Sequence, residues 1–206
     1  REALFPALVH DIKAAVRWVR GNAARYGFDG GRIAAWGGSA GGYLSAMAGV
    51  TGGVAELEDL SLGYAEQSSR VQAVVDWFGP TDFLKMDEQV AIVSGGEVGP
   101  FSHNAADSPE SLLLGARITT IPERVREANP ETYVRADAPP FFIQHGTHDT
   151  TVPPLQSVNF AAKLAQVAGP ERVRLELLEG AEHAGAVFNA RENVQKVLDF
   201  LDEMMR

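Results

Sequence analysis

The sequence contains no cysteine among its 206 residues. Without cysteine the chain cannot form a disulfide, use a thiolate as a nucleophile or hold zinc through sulfur. Its five histidines do not show a metal-ligand spacing such as His-x-x-x-His. We therefore expect no metal centre.

The chain is also short of positive charge and of long apolar runs. It carries 18 lysines and arginines against 27 acidic residues, a net charge of −9, so it would repel a nucleic-acid backbone. No apolar run is long enough to span a bilayer, and the first residues do not resemble a signal peptide. The balance of 45% hydrophobic and 22% charged residues is typical of a soluble globular domain. The compartment stays open, because a cysteine-free protein works in either redox environment.

Helical and strand patterns alternate along the chain. Apolar spacing predicts a helix over 7–26 whose buried face includes Ala15 and Val16, and Asn189 with Glu192 predicts the cap of a final helix. The other predicted helices are 39–49, 109–114, 122–128 and 153–168, and the predicted strands are 32–36, 71–78, 140–146 and 173–178. This order predicts an α/β fold with a mostly parallel sheet and helices on both faces. We expect one domain over 1–206, in which 54–70 is a polar surface excursion and 83–137 a cap-like insertion.

Residues 37–41 form a Gly-x-Ser-x-Gly nucleophile elbow between a predicted strand and a predicted helix. Such a turn holds the hydroxyl of Ser39 in a strained conformation at the top of a sheet. Gly37 and Gly41 are expected to be needed because a Cβ there would clash with the neighbouring strand and helix. The alternative is that Ser39 only caps the helix, although capping does not require these glycines.

A serine nucleophile needs a base and an acid that orients the base. In this type of fold they follow in the order Ser, Asp or Glu, His, at the carboxyl ends of the strands. Asp149 follows the strand that ends at Gly146, and His183 follows the last strand. The alternatives are a turn aspartate and a loop histidine. Asp82 is expected to stabilise a turn, with a second interpretation as a substitute acid.

The remaining four histidines are predicted to have no catalytic role. His10 and His103 are interpreted as surface or structural residues, and His148 as a loop residue whose side chain points away from its neighbour Asp149. His145 lies at a strand end and is expected to be packed.

The oxyanion of an ester reaction needs hydrogen-bond donors. The backbone N–H of Ala40 is the first candidate, helped by the helix N-terminus. A second donor normally comes from a His-Gly-Gly-Gly-type loop, and this chain contains no such loop. We expect the N-terminal strands and that loop, about 60–80 residues of a usual domain, to lie outside the chain. Either the chain is a fragment, or a second chain or copy supplies the strands and covers the sheet edge.

These residues together resemble the α/β-hydrolase superfamily, and more narrowly its acetyl-xylan and feruloyl esterase-type carboxylesterases, relatives of the hormone-sensitive-lipase-like esterases. The resemblance covers nearly the whole chain and includes 11–18, 37–42, 78–82, 108–115, 128–130, 145–149, 152–154 and His183. It implies hydrolysis of short acyl or hydroxycinnamoyl esters, often on plant polysaccharide, without a cofactor.

The first hypothesis is therefore a serine carboxylesterase that acts on a small-molecule or polysaccharide-linked ester. Ser39 would attack the carbonyl, His183 would move the proton, Asp149 would orient His183 and Ala40 would bind the oxyanion. A second hypothesis is a serine peptidase similar to prolyl oligopeptidases, which share the elbow and the acid loop. A third is a non-catalytic binding module of the same fold.

Overall fold

The computed structural model describes residues 3–96 and 102–206 around a sheet of four parallel strands. The strands are β1 (Ala34–Gly38), β2 (Ala73–Trp77), β3 (Phe141–Gly146) and β4 (Val173–Leu178). They are adjacent in chain order, and each neighbouring pair is parallel. Parallel neighbours need a crossover connection, so all four carboxyl ends meet at one edge of the sheet. The predicted α/β class and parallel sheet are confirmed.

Helices cover both faces of this sheet, as predicted. They are α1 (Ala7–Gly21), α2 (Ala23–Tyr26), α3 (Ala40–Val50), α4 (Met86–Val93), α5 (Pro109–Leu114), α6 (Pro122–Ala128), α7 (Leu155–Ala168) and α8 (Arg191–Met204). Helices α1, α3 and α7 pack on one face, where Phe141 meets Phe160 edge to face with 5.5 Å between ring centroids. Helix α8 packs on the other face through Phe200 and Phe142. Each buried aromatic ring contributes about 2–3 kcal/mol.

The first predicted helix differs from the structure in two ways. It divides at Asn22, and Ala15 is exposed while Lys13 and Arg17 are fully buried. The two cations share the carboxylate of Glu58, whose Oε2 lies 2.7 Å from Lys13 Nζ and whose Oε1 pairs with Arg17. This pairing offsets the lost hydration of the buried charges. The excursion 54–70 therefore supplies a counter-ion to the interior as well as a surface.

Residues 83–137 lie between β2 and β3 and contain α4, α5 and α6. Met86, Leu114 and Ile118 from this segment share one apolar cluster with Val9 of α1 and Met47 of α3. The segment thus packs over the helices that lead into and out of β1. Its description as a cap-like insertion stays a prediction.

The predicted cap of the last helix was wrong. Helix α8 begins at Arg191 after Ala190, and no side chain caps it. The N–H groups of Asn189 and Ala190 donate to the carbonyls three residues earlier. These tight turns delay the start of the helix by one residue relative to a cap at Asn189.

Asp76 is a buried carboxyl group within β2. Its Oδ1 accepts a hydrogen bond from the N–H of Gly79 at 2.9 Å, and its Oδ2 has no hydrogen-bond partner among the described residues. Burial raises the pKa of Asp76 from 3.8 to about 6, although the Gly79 N–H and the electrostatic influence of His145 oppose the rise. At neutral pH the folded protein therefore holds a carboxylate whose ionisation costs free energy.

We expect Asp76→Asn to remove a pH-dependent loss of stability. In the unfolded chain this carboxyl group ionises near pH 3.8 and in the folded protein near pH 6. The wild type therefore loses about 3 kcal/mol of unfolding free energy as the pH rises through this interval. Denaturant unfolding at about pH 3 and pH 7 should show that the unfolding free energy of the variant increases relative to that of the wild type as the pH rises. An equal difference at both values would contradict this account.

Candidate active site

Ser39 occupies the turn between β1 and α3. Its backbone has φ 57° and ψ −122°, a left-handed conformation that residues with side chains rarely adopt. Its N–H donates to the carbonyl of Trp77 at 2.9 Å, and its own carbonyl accepts from the N–H of Tyr43 at 3.0 Å. These bonds to β2 and α3 hold the strained turn at the carboxyl edge of the sheet.

Two glycines let α3 run close to the strands. A Cβ on Gly37 would lie 2.4 Å from the carbonyl oxygen of Gly41, and a Cβ on Gly42 would lie 2.4 Å from Asp76 Oδ1. A Cβ on Gly41 would meet nothing within 4 Å. The expectation of a steric need for glycine is therefore wrong for Gly41, because this position lies on the open side of the helix. The second tight position is Gly42.

The structure brings Ser39, His183 and Asp149 into one chain of hydrogen bonds. His183 Nε2 lies 2.9 Å from Ser39 Oγ, and His183 Nδ1 lies 2.7 Å from Asp149 Oδ2. The three residues come from the loops after β1, β4 and β3, whose carboxyl ends lie at the same edge of the sheet. An imidazole whose Nδ1–H is held by a carboxylate presents its Nε2 lone pair to the serine.

Asp149 is buried and its carboxylate is strongly hydrogen-bonded. Its Oδ1 accepts from the N–H groups of Thr151 and Val152, each at 2.9 Å. Burial by itself would raise the pKa of Asp149, but His145, His183 and the Val152 N–H together lower it from 3.8 to about 2. This side chain is therefore ionised wherever His183 can work as a base.

Phe78 follows β2 and packs against the base. Its φ of 45° is unusual for a bulky residue, and its ring centroid lies 4.8 Å from that of His183 in an edge-on arrangement. A Cβ on Gly38 would lie 2.9 Å from the Phe78 ring, so glycine there makes room for it. Phe78 limits the movement of His183. Its place at the end of the predicted strand 71–78 is the sequence signal for this position, since the groups after parallel strands meet at one edge of the sheet.

Ala40 is the first residue of α3 and is exposed. The N–H groups of a first helical turn have no acceptor within the helix, and the helix dipole adds partial positive charge there. An anionic oxygen beside Ser39 can therefore be stabilised at this helix end.

A cavity of about 340 Å³ opens beside Ser39 and Ala40. Much of its wall is aliphatic or aromatic, formed by Leu8, Tyr43, Pro80, Phe83, Leu113 and Val152. A buried polar pair also lines it, in which His103 Nδ1 lies 3.0 Å from Glu110 Oε1. Cavities of this size and character bind small molecules.

Asp82 and three of the remaining histidines lie outside the hydrogen-bonded chain from Ser39 to Asp149. Asp82 accepts a hydrogen bond from the N–H of Leu84 at 3.2 Å and begins a 3₁₀ turn, so it stabilises a turn as expected, and Asp149 is the carboxylate that contacts His183. His103 is buried, His10 is half-buried and His148 is exposed.

Within residues 3–96 and 102–206, no group of three or more His, Cys, Asp or Glu side chains could hold a metal ion. Over the same ranges, no helix is both long and apolar enough to cross a membrane.

The sequence is similar to a known protein family and to curated esterases. Residues 1–164 match the sequence profile of the BD-FAE family. Esterase LipQ of Mycobacterium tuberculosis is 33% identical over 200 residues, which are 96% of this chain and 44% of LipQ. The chain thus spans less than half the length of the curated relatives that it matches.

The chain is also similar in structure to solved proteins. A bifunctional GH43-CE protein of Bacteroides eggerthii superposes with a TM-score of 0.82 and 34% identity, over 99% of this chain and 26% of that one. A truncated carbohydrate esterase from gut microbiota superposes with a TM-score of 0.79 and 34% identity, over 99% of this chain and 70% of that one.

The tight approach at Gly37 can be tested against the open position at Gly41. We expect Gly37→Ala to lower the free energy of unfolding by about 1–3 kcal/mol, because the new Cβ overlaps backbone. Gly41→Ala should be neutral or stabilising by up to about 1 kcal/mol, since alanine is the better helix former. Thermal unfolding of both variants is the measurement. Equal losses in the two would show that the spacing between α3 and β1 is misjudged.

Proposed function

Since the chain belongs to the BD-FAE family, we propose that it hydrolyses carboxylic esters through an acyl-enzyme formed on Ser39. The observation that carries the proposal is the unbroken contact from Ser39 through His183 to Asp149, at 2.9 and 2.7 Å. The name of the relative LipQ, an esterase, supports the reaction class.

In the first half of the reaction, Ser39 Oγ attacks the ester carbonyl while His183 Nε2 takes the hydroxyl proton. Asp149 stabilises the imidazolium and keeps its ring oriented. The N–H of Ala40 binds the oxyanion, an interaction worth about 3–4 kcal/mol per donor. The tetrahedral intermediate then expels the alcohol, which receives its proton from His183, and the acyl group stays on Ser39.

In the second half, water replaces the alcohol and the same residues act in reverse. His183 takes a proton from water, the hydroxide attacks the acyl-enzyme, and Ser39 leaves with the proton returned by His183. The products are the carboxylic acid and the free enzyme. Supply of the second oxyanion donor by a loop outside these residues stays a prediction.

For the substrate, we propose short acyl or hydroxycinnamoyl esters, either small molecules or esters linked to polysaccharide. The apolar cavity of about 340 Å³ beside Ser39 suits a small acyl group or a single aromatic ring. One solved relative is a carbohydrate esterase, which favours a sugar as the alcohol part.

We expect Ser39→Ala to lower kcat for a p-nitrophenyl ester at least about a thousandfold in the full-length protein. The matched control is Ser45→Ala in the same helix, whose hydroxyl donates to the carbonyl of Gly41 at 2.8 Å and takes no part in the relay. It should keep most of the activity. A similar loss in both variants, or little loss in Ser39→Ala, would contradict the assignment.

We expect Leu113→Phe to narrow the cavity and to change acyl preference. The value of kcat/KM should fall about tenfold or more for a hydroxycinnamoyl ester, as one misplaced methylene can cause, and should change little for an acetyl ester. Leu112→Phe is the control, since the cavity wall contains Leu113 and the neighbouring position points elsewhere on α5. Equal losses with both esters would place the acyl group outside this cavity.

A further inference from the structure

We propose that His145 is a positioning residue for Asp149, holding its Nε2–H edge against the carboxylate oxygen that contacts His183. This inference rests on the proposed function. His145 is the last side chain before the glycine that ends β3, and it is fully buried. It lies four residues before Asp149, and its Nε2 is 3.3 Å from Asp149 Oδ2.

The tautomer of His145 follows from its two other partners. Its Nε2 lies 2.7 Å from the carbonyl oxygen of Val152, which can only accept, so Nε2 carries a proton. Its Nδ1 lies 2.6 Å from Ser157 Oγ on α7. In the neutral ring Nδ1 then accepts the hydroxyl proton of Ser157. The serine thus fixes which edge of the ring faces the acid.

The two oxygens of Asp149 have different surroundings as a result. Oδ1 is held by the backbone N–H groups of Thr151 and Val152, which fix the position of the side chain. Oδ2 lies between two imidazoles, at 2.7 Å from His183 Nδ1 and 3.3 Å from His145 Nε2. The His145 N–H is directed mainly at the Val152 carbonyl, and Oδ2 is its longer second contact.

This arrangement reduces the negative charge that Asp149 Oδ2 presents to His183. A positive N–H edge near Oδ2 draws part of the carboxylate charge away from the base, and it contributes to the low pKa of Asp149. If that edge is removed, more negative charge faces His183, which favours its protonated form. As the pH is lowered, His183 of such a variant therefore takes up its proton, and stops working as a base, at a higher pH than in the wild type.

Other groups around His145 must be controlled. Asp76 on the neighbouring strand β2 is buried and interacts electrostatically with His145, and the ring of Phe78 lies 6.5 Å from that of His145, centroid to centroid. Because the pKa of Asp76 is raised to about 6, its own titration can reach the acidic limb of a rate profile. The experiment therefore includes Asp76→Asn as a background.

The test compares His145→Leu, which lacks the donor, with His145→Gln, which keeps an N–H group, and with Ser157→Ala. The first readout is the acidic midpoint of the pH profile of kcat/KM for a p-nitrophenyl ester, measured with and without Asp76→Asn. The second is the ¹⁵N–¹H spectrum of the histidine rings, which reports the tautomer of His145 whether or not the protein hydrolyses esters. Folded fractions from circular dichroism correct kcat for any loss of native protein.

We expect the acidic midpoint of His145→Leu to move to higher pH by about half a unit or more, in both backgrounds. His145→Gln should restore the wild-type midpoint, and Ser157→Ala should shift it by a smaller amount in the same direction. The wild-type spectrum should show the proton on Nε2 of His145. An unchanged or lowered midpoint in folded His145→Leu, or a proton on Nδ1 alone, would overturn the inference. Absence of ester hydrolysis by the wild type would instead count against the proposed function.

Discussion

The close approach of α3 to β1 and β2 is the constraint on which the site depends. Without side chains at Gly37, Gly42 and Gly79, the helix backbone comes so near the strands that a Cβ at these positions would lie 2.4–2.6 Å from its neighbours. The same closeness lets the N–H of Ser39 reach the carbonyl of Trp77. The strained serine turn is thus held by the packing of the sheet, and the loops after β3 and β4 meet it at one edge.

Two buried carboxyl groups near this edge show that nearby hydrogen-bond donors decide whether burial leaves the pKa of a carboxyl group low or raises it. Asp149 faces two imidazoles and two backbone N–H groups, and its pKa falls to about 2. Asp76 receives one backbone N–H, and its pKa rises to about 6. Both lose water, but only Asp149 regains enough hydrogen bonds to stay ionised at low cost. It can therefore support a protonated His183, whereas Asp76 lowers stability as it ionises.

Local signals in the sequence predicted much of the fold. Proline at the start of α5 and α6 marked these two helices with their observed bounds, and the strand predicted over 173–178 has the bounds of β4. The elbow motif and the order of the loops singled out Ser39, Asp149 and His183, which the structure places in contact. The role of His145 beside the acid, and the burial of Lys13 against Glu58, depend on partners from other elements. A pattern along one segment cannot reveal such partners, because they are set by packing.

The proposed reaction depends on one intermediate, an acyl ester formed on Ser39. The most direct measurement mixes the full-length protein with an ester labelled in its acyl group, quenches in acid within the first turnover, and maps the labelled peptide by mass spectrometry. We expect the label on Ser39 and no label in Ser39→Ala. Hydrolysis without a labelled intermediate, or the label on another residue, would contradict it.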